Sequence, residues 1–196
     1  MKHVIIGASA AGIAACEAIR SRDRDSPVTV ISDETEGVYS RCLLPHYLSG
    51  EWQREALWFR EKDFFSRFGI TALLGKKAER IDVSTRQVIL ASGEEVAYDT
   101  LLLATGGEAQ LPRLPGNEAA GVMALRTLAD ADKMLAMFGE TRRVVILGGG
   151  LIGCKAAAAL RRTRARPGSS GRNFWTKGSG WRRAPIPGRY WPRGDG

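Results

Sequence analysis

The sequence predicts an α/β fold in which parallel strands are joined through helices, and three observations predict it. Two apolar, β-branched runs, Val4-Ile5-Ile6 and Val144-Val145-Ile146-Leu147, each lead into a glycine-rich turn and then into a helix-forming stretch. A third apolar run, Leu101-Leu102-Leu103, also ends in a glycine turn, at Gly106-Gly107. Between the first and third runs lie three short strand-like segments separated by turn residues, the pattern of an antiparallel meander inserted into a parallel frame.

Residues 4–6 are the first expected strand, 10–21 a helix and 28–31 a second strand that ends at Ser32-Asp33-Glu34. Residues 62–68 carry an amphipathic helical pattern and 70–74 another strand. The meander is expected at 78–83, 87–91 and 95–98, with turns at Ser84-Thr85 and Ser92-Gly93. Residues 101–103 read as a buried parallel strand. Pro112, Pro115 and Gly116 mark an exit loop, and a helix begins near Thr127 and runs to 138. Residues 140–143 link it to the last strand, 144–147, and a final helix, 151–162.

The two glycine turns have the spacing that brings a helix N-terminus against a pyrophosphate, whose charge the free N–H groups and the helix dipole favour. In the second turn the full GxGxxG stands at Gly148, Gly150 and Gly153: one glycine for the turn, one for close approach of phosphate, one for packing of helix on strand. The first runs Gly7-Ala8-Ser9-Ala10-Ala11-Gly12, with Ser9 at the middle position. Serine is small, and its hydroxyl could add a phosphate contact. Two such turns imply two dinucleotides. Asp33 lies 21 positions after Gly12, near the spacing of about 20 at which a carboxylate accepts from a ribose hydroxyl. Asp33 and Glu34 compete for that role.

Composition divides the chain. The whole has 29 Lys and Arg, 21 Asp and Glu and a net charge of +8. Ten of the basic residues but only one acid, Asp195, lie from Arg161 onward, so the first 160 residues carry a net charge of −1. From about Thr163 there is no Leu or Val, and Trp175, Trp181 and Trp191 recur without period, so this stretch cannot build a core. Arg neutralises phosphate and Trp stacks on bases, but without a repeat the tail is not read as a nucleic-acid binder. It is expected to follow a change of reading frame, because the helix before it should lead into a strand ending in an acid. Cys16, Cys42 and Cys154 have no metal or CxxC spacing and fit a reducing compartment. Cys16 and Cys154 are expected to pack within the helices that follow the glycine turns. His3 and His46 lack companion ligands, so no metal is expected. The apolar run before Ala8-Ser9-Ala10 is too short for a secretory signal, no run spans a membrane, and the expected location is cytoplasmic.

Six motifs, taken in order, carry a family likeness: Ile5-Ile6-Gly7-Ala8-Ser9-Ala10-Ala11-Gly12, Ile31-Ser32-Asp33-Glu34, Tyr39-Ser40-Arg41-Cys42-Leu43-Leu44-Pro45, Leu103-Ala104-Thr105-Gly106, Leu125-Arg126-Thr127-Leu128 and the turn from Gly148 to Gly153. With these the chain resembles the N-terminal half of the FAD-dependent pyridine nucleotide-disulfide oxidoreductases, in the branch of rubredoxin reductases, nitrite-reductase-type flavoproteins and NADH oxidases. The resemblance implies a Rossmann-like FAD-binding domain with an inserted β-meander over residues 1–140. The start of a second Rossmann-like, NAD(P)-binding domain would follow at 141–162, and the irregular basic tail at 163–196. It implies that Gly7, Ser9, Ala10, Ala11 and Gly12 hold the FAD diphosphate with Arg41 beside it, and that Asp33 or Glu34 takes the ribose. Ala78 would meet the adenine, Ala104, Thr105 and Gly106 would line the flavin, and Gly148, Gly150, Leu151, Ile152 and Gly153 would take NAD(P)H. Cys42 resembles the redox cysteine of single-cysteine members, although Leu43 replaces the glycine that follows it there. The implied function is hydride transfer from NAD(P)H to FAD and on to a small redox protein, oxygen, a peroxide or a disulfide. Weak or absent turnover is expected of this chain, the alternative being a non-enzymatic nucleotide-binding fragment. Oligomers are possible in the intact family.

Overall fold

The computed structural model describes residues 1–138 and 143–164. Most of the basic tail, and with it the expected reading-frame change, lies outside the described residues, as does most of the 140–143 linker.

A four-stranded parallel sheet carries the fold. Strand β1 (His3–Ile6) is followed by helix α1 (Ala10–Arg22) and strand β2 (Val28–Ser32). A 3-10 turn at Arg41–Leu43 leads into the short helix α2 (Leu44–Leu48), and a second 3-10 turn follows at Arg54–Leu57. One turn of helix, α3 (Phe64–Arg67), precedes strand β3 (Ile70–Leu74). Strands β4 (Ala78–Asp82), β5 (Gln87–Leu90) and β6 (Glu95–Ala97) form the antiparallel meander, and β7 (Thr100–Leu103) returns to the parallel sheet. Helices α4 (Leu128–Phe138) and α5 (Leu151–Arg164) complete the described chain. The parallel sheet has the order β3-β2-β1-β7.

Alternation along the strands explains the layering, because successive side chains leave a strand on opposite faces. Ile5, Val28 and Val30 pack with Ile13 and Cys16 of α1 on one face. Val4, Ile6 and Ile31 pack with Val88 and Leu90 of the meander on the other. The result is three layers, helix, parallel sheet and meander, with β1 and β2 covered on both sides. Arg20 fastens the end of α1 to its surroundings: its guanidinium donates to the carbonyls of Phe68 (2.6 Å), Ser26 (2.8 Å) and Gly69 (2.9 Å).

A second core lies beside the sheet, where Tyr39, Leu44, Leu48, Leu57, Leu128, Ala131 and Ala159 are buried together. Helix α4 starts in a reciprocal cap: Asp130 accepts from the Thr127 N–H (2.8 Å), and the Thr127 hydroxyl oxygen accepts from the Asp130 N–H (3.1 Å). This is the capping-box geometry with Asp in place of Glu. Helix α5 docks on α2 through the Thr163 hydroxyl, which donates to the Leu48 carbonyl at 2.5 Å.

Three sequence expectations are corrected. Strand β7 is an edge of the sheet among the described residues, so Leu102 and Leu103 are exposed rather than buried (42% and 60%). Residues 144–147 form no strand, and Val145 and Leu147 lie in solvent. No strand among the described residues pairs with them, and a lone strand has no partner for its backbone groups. The helix expected over 62–68 contracts to α3, with Asp63 and Phe68 already outside helical geometry, and Gly69, at φ +57°, turns the chain into β3.

The sharpest steric constraint is at the first glycine turn. A Cβ placed on Gly7 would lie 2.1 Å from the Ala104 carbonyl oxygen, and one on Gly12 would lie 1.9 Å from that of Gly7. Gly7 also has φ +118°. The expected cost of Gly12→Ala is about 3 kcal/mol, since backbone rather than a flexible side chain must move. Urea unfolding followed by circular dichroism measures it, and a variant with the parental midpoint contradicts the close packing of α1 on the turn.

Candidate functional site

The carboxyl ends of β1, β2 and β7 open on one edge of the sheet. From β1 the chain crosses to β2 on one side, whereas β7 pairs with β1 on the other. The strand order therefore reverses between β1 and β7, and a crevice outside the strand ends at such a reversal is where open α/β sheets take ligands.

The first glycine turn sits in that crevice. The Gly7 N–H donates to the Ile31 carbonyl (2.8 Å), the Ala104 N–H donates to that of Ile6 (2.8 Å), and α1 begins when Ile13 donates to Ser9 (2.9 Å). N–H groups of the first helical turn have no partners within the helix. The Ser9 side chain makes no capping bond to them, while Ala10 and Ala11 are exposed. The arrangement sets backbone donors at a helix N-terminus, with glycine at the two positions where a Cβ would strike backbone, and an anionic group suits such donors.

Charged and polar groups gather beside the ends of β2 and β7. Arg41 donates to Glu34 at 2.5 Å and, from its other terminal nitrogen, to the Arg126 carbonyl at 3.3 Å. Arg126 in turn donates to the Thr105 carbonyl at 3.4 Å and passes beside Gly106. The Tyr39 hydroxyl donates to the second Glu34 oxygen and accepts from the Leu128 N–H at 3.0 Å. Burial, and after it the bond to Glu34, push the Tyr39 phenol well above its ordinary value. Asp33, one residue earlier, is exposed.

The structure thus brings Gly7, Ser9, Gly12, Glu34, Arg41, Ala104, Thr105 and Gly106 to one edge. Ala78 opens the meander and pairs with Leu90. Cys42 is exposed in the 3-10 turn directly after Arg41. Sequence reasoning gave Tyr39 and Arg126 no site role beyond motif membership; the Tyr-x-Arg spacing was the available signal.

The second turn repeats the local geometry of the first. Gly148 has φ +105°, and a Cβ on Gly153 would lie 2.2 Å from the Gly148 carbonyl oxygen. The Cys154 N–H donates to Gly150 at 2.9 Å, and nothing lies within 4 Å of a Cβ on Gly150. Cys154 is exposed, unlike Cys16. No group of three or more His, Cys, Asp or Glu side chains among the described residues is arranged to hold a metal ion. Nor is any described helix long and apolar enough to cross a membrane.

Fold and crevice define an α/β protein of the dinucleotide-binding class. The chain belongs to the pyridine nucleotide-disulphide oxidoreductase family, whose model matches residues 1–166. It is 35% identical over 159 residues to the NADH-dependent phenylglyoxylate dehydrogenase subunit epsilon of Aromatoleum evansii, a match covering 81% of this chain and 38% of that protein. The putidaredoxin reductase structure solved as a covalent complex with putidaredoxin superposes with a TM-score of 0.73 at 31% identity, covering 83% of this chain and 40% of the other. A NAD-dependent persulfide reductase from A. fulgidus superposes with a TM-score of 0.77 at 32% identity, covering 83% and 32%. The chain therefore spans about two fifths of the length of the first curated relatives it matches.

The cysteines separate by environment. Burial pushes the Cys16 thiol up to about 11, so it stays protonated and inert at neutral pH. A thiol reagent at pH 8 is expected to modify Cys42 and Cys154 in the native protein and Cys16 only after unfolding. Mass spectrometry of the labelled peptides checks this, and rapid native labelling of Cys16 contradicts its place between α1 and the sheet.

Proposed function

We propose that this chain is the nucleotide-binding part of an FAD-dependent NAD(P)H oxidoreductase that delivers electrons to a small redox protein. The observation that carries the reading is the first glycine turn, where the N-terminus of α1 opens at a strand-order reversal and neither Gly7 nor Gly12 has room for a side chain. Gly7, Ser9, Ala10, Ala11 and Gly12 would hold the FAD diphosphate, with Arg41 adding positive charge beside it. Glu34, held by Arg41 and Tyr39, is favoured over exposed Asp33 as the ribose acceptor. Ala104, Thr105 and Gly106 would border the flavin, and Ala78 the adenine. Flavin supplies the capacity to accept hydride from nicotinamide and to release electrons onward.

Gly148, Gly150, Leu151, Ile152 and Gly153 would take the nicotinamide dinucleotide, and the turn is shaped for it. Yet the preceding run forms no strand and exposes Val145 and Leu147. Because a site on rigid elements holds its ligand better than one on an unpaired segment, we propose weak or absent turnover for this chain by itself. The same observation favours a second reading, a nucleotide-binding fragment without activity. A small redox protein is preferred as acceptor because the putidaredoxin reductase relative was captured with putidaredoxin. Cys42, exposed after Arg41, is the residue on which a thiol-based alternative would rest.

The visible spectrum under anaerobic conditions tests both sites. FAD added to the protein is expected to bind with a shifted and structured absorbance band, and NADH is expected to bleach it slowly or not at all. Rapid bleaching with steady NADH oxidation contradicts the proposed weak turnover. No spectral change on adding FAD contradicts the flavin site.

A further inference from the structure

Tyr39 joins the loop after β2 to the start of α4, 89 residues further on. Tyr39 is only 4% exposed and lies in the second core with Leu44, Leu57 and Leu128. Its hydroxyl both donates and accepts, donating to Glu34 and accepting from the Leu128 N–H, which has no partner within α4. The Arg41 guanidinium lies over its ring at 5.7 Å from the centroid and binds the other Glu34 oxygen. Glu34 therefore receives one donor on each oxygen, and an ionised carboxylate has about four acceptor sites. One site on each oxygen remains, the number that the two hydroxyls of a vicinal diol would use.

We infer that Tyr39 is the positioning residue of the first dinucleotide site, fixing the Glu34 carboxylate so that its unused acceptor sites meet a ribose diol. The inference rests on reading the crevice as the FAD site. Glu34 stands on the loop after β2, and a free carboxylate there would sample several rotamers. Holding it from the buried side, by a group anchored in a different core, removes that freedom before ligand arrives. The bond also ties the site to the start of α4.

The test is Tyr39→Phe in the full chain, with binding of FAD, ADP and FMN measured by fluorescence and calorimetry. FAD and ADP carry the adenosine ribose, whereas FMN lacks it. Losing one hydrogen bond to a charged group predicts about a tenfold weaker binding of FAD and ADP, with FMN changed less than twofold. Thr127→Ala serves as a control: it breaks the α4 cap without touching Glu34, and it is expected to lower Tm while leaving FAD affinity within about twofold. Absorbance at 295 nm gives a ligand-free readout, in which Glu34→Gln is expected to lower the Tyr39 ionisation toward that of ordinary tyrosine. Equal losses for FAD and FMN, no loss at all, or an unmoved tyrosine titration in Glu34→Gln would overturn the positioning role. Parent protein that binds neither FAD nor ADP would overturn the site reading itself, and the positioning role with it.

Discussion

The absence of room for a side chain at Gly7 is the constraint on which the structure depends. β1, α1 and β7 meet there, and the Ala104 carbonyl occupies the space that a Cβ would need. Because β1 is hydrogen-bonded to both β2 and β7, its end is where the strand order reverses. The close packing that stabilises the sheet also leaves backbone N–H groups as the exposed chemistry of the crevice. Stability and anion-binding capacity therefore share one cause, and a residue that filled the turn would remove both.

Around that turn the work is divided between two cores. The sheet core, with α1 on one face and the meander on the other, fixes the phosphate-facing backbone. The second core, built from α2, α4 and α5, holds the polar groups opposite through Tyr39 and through the carbonyl of Arg126 that receives Arg41. Charge in the crevice is paired even without ligand, since Glu34 and Arg41 neutralise each other at 2.5 Å. Such a pair, about one fifth to one third exposed, contributes modestly to stability, and its greater consequence is geometric. Under the proposed reading it keeps an acceptor for hydroxyls and a donor for phosphate side by side.

The parallel frame was legible because its signals are local. β-branched runs entering glycine turns mark β1 and α1, and turn residues at even spacing mark the meander. The exposure of Leu102 and Leu103 was not legible, since an apolar run reads alike whether its strand is central or at an edge; neighbours decide that. The missing strand at 144–147 has the same origin: its residues favour a strand, but pairing requires a second strand that local pattern cannot supply. At the site, glycines and acids were visible through spacing, whereas Tyr39 and Arg126 gain importance only from contacts spanning 89 and 21 residues. A tyrosine in a short motif announces its type, not the helix N-terminus it will cap.

The central claim is that the first glycine turn, rather than the second, is the better-formed dinucleotide site of this chain. Backbone amide resonances followed by NMR during FAD titration test it most directly. The account predicts the largest shifts at Gly7 to Gly12 and Ala104 to Gly106, with Gly148 to Gly153 nearly unmoved. Shifts concentrated at Gly148 to Gly153, or spread evenly over the surface, would contradict it.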